Sequence, residues 1–372
     1  MTTPPRPTTA DLLRYFLYLG SLGFGGPVAL VGYMQRDLVE RRGWFTKEEY
    51  FKSLALSQLA PGPLAAQLAI CLGYVHSRIR GATLVALTFI MPSFIMTVAI
   101  SWLYVRYGGL SWMQAAFYGV GATVIAIITL AAYKLAKLTL SRDRLQWAIF
   151  GVMAVVTAWT ESEIVTLFVL CGVVALVVQA PPAFLRRSGP ACLVVATPAL
   201  LAEILWFFMK AGAFVFGSGL AIVPFLYGGV VQEYHWLNDK QFVDAVAVAM
   251  LTPGPIVITV AFIGYLVASF PGAVAAAVGV FLPVYLFVVV PFPWFDRFSE
   301  NPQVKAFVGG VTAAASGAIA GACFVLARRA IVDVPTLLIA LAALGVTWRF
   351  KVPEPLLIAA GAGVGLLIFW TR

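Results

Sequence analysis

The sequence predicts an all-α polytopic membrane protein built from two homologous halves, with helices broken at two Pro-Gly-Pro motifs. Three observations carry that reading. Of the 372 residues 61% are hydrophobic and 11% charged, with a mean hydropathy of +0.93, far outside the range of soluble domains. Leu59-Ala60-Pro61-Gly62-Pro63 returns as Leu251-Thr252-Pro253-Gly254-Pro255, each time between apolar runs. Sliding the chain on itself by 192 residues pairs Phe16–Pro63 with Phe208–Pro255 without a gap, and thirteen of the forty-eight pairs are identical. These include Gly20 with Gly212, Phe24 with Phe216, Gly25 with Gly217 and Trp44 with Trp236. Beyond the motif the offset becomes 191, pairing Gly73-Tyr74 with Gly264-Tyr265, Gly81-Ala82 with Gly272-Ala273 and Pro92 with Pro283. Shared apolar composition would not hold Gly, Trp and Pro in register over that length.

The first half spans residues 1–180. Residues 11–34 form an apolar run interrupted at Gly23-Phe24-Gly25-Gly26-Pro27, followed by a charged loop with Arg36, Asp37, Glu40, Arg41, Arg42 and Lys47. Thr46-Lys47-Glu48-Glu49 reads as an N-cap with acid in the first turn. It launches a short helix that ends at the first Pro-Gly-Pro. Pro61 and Pro63 lack an N–H and push the residue before them out of the α region, so the helix cannot run through. Residues 64–77 form a second short helix; each of the two is too short to cross about 30 Å of hydrocarbon, which suggests a re-entrant hairpin. Runs at 80–105, 111–136, 145–160 and 163–180 follow.

Residues 181–201, rich in Pro with Arg186 and Arg187, link the halves, and 202–372 repeats the list. A broken run covers 203–231, a hairpin 239–269, and further runs 272–292, 303–327, 333–348 and 354–371. A hairpin that does not cross leaves five crossings per half, so the halves lie in opposite orientations as inverted repeats. Placing the Arg36-to-Lys52 loop in the cytoplasm also puts Arg78, Arg80, the 134–144 basic stretch and Arg186-Arg187 inside, as the positive-inside rule prefers. Arg328-Arg329 then falls outside, against the rule, and the short N-terminal tail lies outside as well unless the Gly-broken first run is itself re-entrant.

The chemistry-bearing residues cluster at the breaks. A helix restarting after a break presents free N–H groups and its positive dipole end, which suits an anion. Such non-helical backbone at membrane depth is tolerated only where it faces protein or water, and inverted repeats with broken helices are a recurring transporter architecture. The candidate anion-binding residues are Gly25, Gly26, Pro27, Gln58, Pro61, Gly62, Pro63, Gly217, Ser218, Gly219, Thr252, Pro253, Gly254 and Pro255. Ser57, Gln67 and Thr259 are further uncharged donors nearby. Close helix packing by small residues is the alternative for any one of the glycines. Ionisable groups inside apolar runs are costly and therefore candidates in their own right. Lys210 would be a counter-charge for an anion, or would snorkel or pair with Glu203. Asp244, paired by the repeat with Lys52, and Glu203 are the candidates for coupling to protons; an interfacial position in the first turn of a hairpin helix is the alternative for Asp244.

Other classes find little support. His76 and His235 are the two histidines, and the four cysteines (71, 171, 192 and 323) have no metal-ligand spacing, so neither a metal site nor any other cofactor is expected. Gly361-Ala-Gly-Val-Gly365 lacks a preceding strand and a Walker lysine, so it reads as helix packing. The formal charge of +9 sits mostly in loops between apolar runs, which is orientation information and not a nucleic-acid footprint. The expected partners are the lipid bilayer and a small solute, and a homo-oligomer is left open.

Phe24-Gly25-Gly26-Pro27 followed by Pro61-Gly62-Pro63, with both echoed in a second half, resembles the chromate ion transporter family in its long, two-domain form. In the second half Gly-Gly-Pro has become Gly217-Ser218-Gly219, with a proline arriving at Pro224. The resemblance covers essentially the whole chain. It implies a secondary exporter of chromate in the inner membrane, conferring chromate resistance, with sulfate as the related oxyanion and with dependence on a proton gradient or membrane potential. A transporter or channel for another small anion or solute would share the architecture. An enzyme would need an acidic, histidine or cysteine cluster that the sequence does not contain.

Overall fold

Apolar runs must satisfy their own backbone hydrogen bonds in hydrocarbon, and here they become helices. The computed structural model describes residues 7–24, 26–107, 111–140, 143–160, 165–180, 200–214, 222–295, 301–350 and 352–371, and these contain no strand. The first half comprises α1 (Thr9–Leu22), α2 (Gly26–Met34), α3 (Lys47–Leu59), α4 (Leu64–Tyr107), α5 (Ser111–Thr139), α6 (Arg144–Thr160) and α7 (Val165–Gln179). The second comprises α8 (Leu200–Phe214), α9 (Ile222–Tyr227), α10 (Asp239–Leu251), α11 (Thr259–Val289), α12 (Pro302–Ala330), α13 (Val334–Arg349) and α14 (Glu354–Thr371). By length and composition α4, α5, α11, α12 and α14 can each cross a membrane. The chain is a multi-pass membrane protein.

Two of the long helices reverse sharply inside their own span. In α4 the reversal lies at Ser77 (φ −150°, ψ 45°) and Arg78 (φ 53°, ψ −140°), and in α11 at the repeat-equivalent Ala268 (φ −144°, ψ 37°) and Ser269 (φ 51°, ψ −150°). Residues eight apart in a straight helix stand about 12 Å from each other. A Cβ on Gly81 would instead lie 2.1 Å from the Gly73 carbonyl oxygen, and one on Gly272 the same distance from that of Gly264. The chain thus doubles back, and only glycine at these pairs lets the two arms touch. The arm before the first reversal lies beside α3, with Ser57 Oγ 3.5 Å from Cys71 Sγ.

The first apolar run is not one continuous span. Counting five crossings per half treats it as one span, but it is two short helices separated at Gly23 and Phe24. At about 21 Å, the fourteen residues of α1 fall short of the hydrocarbon thickness. After the break the loop beyond α2 comes back to α1. Tyr50 Oη donates to the Val31 carbonyl at 2.8 Å, and the Arg42 guanidinium lies 5.2 Å over the Tyr15 ring.

The halves are interlocked: α6 and α7 pack on α12 of the second half, while α13 and α14 pack on α5 of the first. Tyr118 near the start of α5 donates to Asp333 just beyond the end of α12 at 2.6 Å. Along α6 and α12 the close approaches step in the same direction, Gln146 to Gly309, Phe150 to Gly317 and Ala154 to Gly321. The repeat-equivalent helices α5 and α12 therefore run antiparallel.

Local signals recur at equal positions. Thr46 caps α3 and Asn238 caps α10, each in a reciprocal capping box, with Glu49 and Gln241 respectively. Gly43 (φ 59°) and His235 (φ 51°) make the left-handed turn before them, and the amides of Trp44 and Trp236 donate at 2.8 Å to Leu38 and Val230. Thr46→Ala and Asn238→Ala are each expected to destabilise the detergent-solubilised protein by about 1 kcal/mol, with Thr46→Ser near neutral. Thermal unfolding of the three variants checks it.

Candidate functional site

The two Pro-Gly-Pro turns stand at the crossing of the halves. Both glycines take positive φ, Gly62 at 144° and Gly254 at 98°, a region that side-chain-bearing residues avoid. Each turn packs against the long helix of the other half, just beyond that helix's internal proline. A Cβ on Gly62 would lie 3.1 Å from Val284 Cγ1 of α11, and one on Gly254 2.0 Å from Ser93 Oγ of α4. Ser93 and Val284 are themselves repeat-equivalent, each following Pro92 or Pro283. The Gly254 amide then donates to the carbonyl of Gly23 at 3.1 Å, so the break in the first run and the second Pro-Gly-Pro satisfy each other.

The two turns are closed differently. Gln67, fully buried on α4, donates Nε2 to the carbonyls of Ala60 at 3.2 Å and Pro61 at 2.7 Å, while its Oε1 has no partner. The second turn instead continues through a single 3₁₀ turn, Ile256–Ile258, with Thr259 Oγ1 donating to Ile256. Hydroxyls expected to serve an anion have spent their protons on backbone. Ser57 donates to Ser53, and Thr252 to Ala249.

Of the remaining sequence candidates, Pro61 is half-buried and Pro63, Pro253 and Pro255 are buried within the turns. Gln58 is exposed, away from buried Ser53 and Ser57 on the same helix. Gly26 and Pro27 open α2; Gly25, Gly217, Ser218 and Gly219 lie outside the described residues. Lys210 and Glu203 are half-buried on α8. Burial, and then the carboxylates of Glu233 and Glu203, hold the Tyr234 phenol above its ordinary pKa.

Asp244 is the buried ionisable group of α10, only 3% exposed. It accepts a hydrogen bond from Tyr104 Oη of α4 at 2.6 Å, and the Tyr104 ring is held edge-on by Phe117 and Phe262. Two cavities of about 540 and 180 Å³ meet at this carboxyl and share Gln114, Phe117 and Lys240 in their walls. They lie where α5 and α10 begin and α14 ends.

Sequence reasoning missed the polar face of α4. Ser93, Thr97 and Ser101 recur every four residues, all fully buried, and lead from the Gly254 turn towards Tyr104 and Asp244. Their partners at the 191-residue offset are Val284, Val288 and Phe292. That contrast was available to anyone extending the repeat past Pro92, because buried hydroxyls in one half opposite apolar residues in the other cannot be a shared packing requirement.

The crossing yields a direct test. Gly254→Ala adds a Cβ at φ 98°, a sparsely populated conformation costing about 1–3 kcal/mol, and thrusts it against Ser93 Oγ, so the yield of folded protein and its melting temperature are expected to fall. Ser93→Ala is expected to restore part of the loss, giving a non-additive double-mutant cycle. Additive effects would place the two residues apart.

Comparison with known proteins agrees with this architecture. The sequence pattern of the chromate transporter family matches residues 10–176 and, a second time, 202–366. The chromate transport protein of Cupriavidus metallidurans is 58% identical over 381 residues, spanning 99% of this chain and 95% of the relative. The probable chromate transport protein of Synechococcus elongatus is 53% identical over 383 residues, spanning 99% and 97%. The chromate transport protein of Pseudomonas aeruginosa is 32% identical over 393 residues, spanning 98% and 94%. No solved structure matches. With family matches in both halves and relatives of this likeness along nearly the whole chain, the protein is a membrane transporter, not an enzyme, and belongs to the chromate transporter family.

Proposed function

We propose that this chain is a secondary transporter that expels chromate across the inner membrane by alternating access, with sulfate as a competing oxyanion. The observation that carries the reading is the hydrogen bond between the Gly254 amide and the Gly23 carbonyl, which joins two helix breaks from different halves inside the bundle. Breaks meeting at a repeat interface are where transporters of this architecture hold substrate. Movement of one half against the other would exchange that bond for bonds to an oxyanion, since the freed amides suit negative charge. The relatives named as chromate transport proteins support chromate as the cargo.

In this reading the halves, 1–180 and 202–372 joined by 181–201, are inverted repeats. The antiparallel course of α5 and α12 supports that arrangement; the count of five crossings per half no longer bears on it, because the first run is not a single span. The pairs α1–α2 and α3 with the first arm of α4 are re-entrant hairpins, as are their second-half counterparts. The residues at the Gly23–Pro27, Pro61–Pro63, Gly217–Gly219 and Thr252–Pro255 breaks contact the anion in turn, Lys210 balances its charge, and Asp244 couples transport to protons with Glu203 as a lesser contributor.

Energetics favour export. An inside-negative potential of 100 mV is worth roughly 2.3 kcal/mol per charge, so expelling a dianion gains about twice that. Labelled chromate uptake into everted vesicles is expected to be saturable, driven by an imposed potential, inhibited by excess sulfate, and lost in Gly62→Leu, whose side chain cannot accept φ 144° beside Gln67. Uptake equal to that of vesicles without the protein would overturn either chromate as cargo or export as direction.

A further inference from the structure

The buried hydroxyls of α4 are a costly feature that packing does not explain. Ser93, Thr97 and Ser101 are fully buried, and buried polar groups are ordinarily paired. Ser101 donates back to the Thr97 carbonyl at 2.7 Å. Thr97 Oγ1 has no partner, and Ser93 Oγ reaches only the Gly20 carbonyl at 3.5 Å. The row begins against Gly254, at the meeting of the two breaks, and ends at Tyr104, whose hydroxyl bonds Asp244 in the cavity wall. From Ser93 to Tyr104 it runs about 16 Å, half the hydrocarbon thickness. The equivalent stretch, the end of α11 and the 3₁₀ turn after it, carries Val284, Val288, Phe292 and Phe295, so the polar route exists towards one membrane face alone.

We propose that this row is a proton route between the Asp244 cavity and the helix breaks. The inference rests on the transport reading above and deepens it by naming the path. Two observations favour a proton over the anion itself as its occupant. A carboxyl stands at the mouth, which opposes a dianion and suits a proton. The cavities stop at Tyr104 and Asp244, leaving hydroxyls in place of a passage wide enough for a tetrahedral oxyanion. Neighbours one turn apart are separated by about 6 Å, the span of one bridging water. A proton taken up by Asp244 from the cavity is relayed as each hydroxyl accepts one proton and releases its own, and it emerges at the breaks where the anion is bound. The charged and titratable groups around Asp244 are Tyr104 from α4, Lys240 and Asp239 on its own helix, and Tyr118 of α5, which is committed to Asp333. The residues lining the larger cavity from α12, α14 and the turn after α12 add no titratable group.

Purified protein in liposomes loaded with a pH-sensitive dye separates the roles. Chromate-for-chromate exchange needs anion binding without net proton movement, whereas net chromate flux needs both. Thr97→Val keeps the shape and removes the hydroxyl. It is expected to lower chromate-driven proton movement by about tenfold, equivalent to 1.4 kcal/mol on the transfer barrier, while exchange stays at the wild-type rate. Thr97→Ser, which keeps the hydroxyl, is expected to restore proton movement, and Val288→Thr in the second half is expected to change neither. Loss of exchange together with proton movement in Thr97→Val would make the row part of the anion site and overturn the proposal, as would wild-type chromate flux with no accompanying protons. Wild-type liposomes that carry no chromate in either mode would instead remove the transport reading, and the proton route with it.

Discussion

The 3.1 Å bond from the Gly254 amide to the Gly23 carbonyl is the constraint on which the rest of the arrangement depends. A helix break inside an apolar bundle frees backbone groups that cannot be left unpaired. Here the break in the first half and the turn in the second supply each other's missing partner. That bond ties the halves together at their centre, because this part of each break is completed by the other repeat. The exchanged packing of α6 and α7 on α12, and of α13 and α14 on α5, follows the same logic at the periphery.

Symmetry at the backbone is combined with asymmetry in the side chains. The reversals at Ser77-Arg78 and Ala268-Ser269 agree to within about ten degrees in each torsion, and capping boxes and left-handed turns sit at equal positions. Yet Ser93 faces one Pro-Gly-Pro where Val284 faces the other, and Gln67 closes one turn where a 3₁₀ turn closes the other. In the duplicated scaffold, side-chain divergence has made polar in the first half a face that is apolar in the second. Divided labour of this kind suits a cycle in which the two faces of the membrane present different driving forces.

Much of the scaffold was legible from residues alone. Two proline-flanked glycines, the Thr46 cap, and Gly, Trp and Pro held in register over two offsets require hairpins and a duplication whatever the tertiary detail. The break in the first run was legible at Gly23–Pro27, but hydropathy alone does not say which way the chain leaves a break, so a single span and a re-entrant run stayed equally open. The candidate site was legible only in part. Pro-Gly-Pro marks a turn, but that the Gly254 turn is completed by the Gly23 carbonyl is a contact across 231 residues of chain that no local pattern encodes. Ser93, Thr97 and Ser101 lay in plain view, but hydroxyls inside an apolar helix commonly bond their own backbone, so they drew no attention until the second half's valines stood beside them.

Alternating access at that crossing requires the halves to lie in opposite orientation. Arg41 and Glu233 occupy equal places in the two repeats, both exposed in the turns that precede α3 and α10. Arg41→Cys and Glu233→Cys, each in a background freed of the native cysteines, can be labelled in intact cells with a membrane-impermeant maleimide. Inverted repeats require one position to react from outside and the other only after the cells are opened. Labelling of both from the same side would contradict the inverted arrangement, and with it the alternating-access reading of the two breaks.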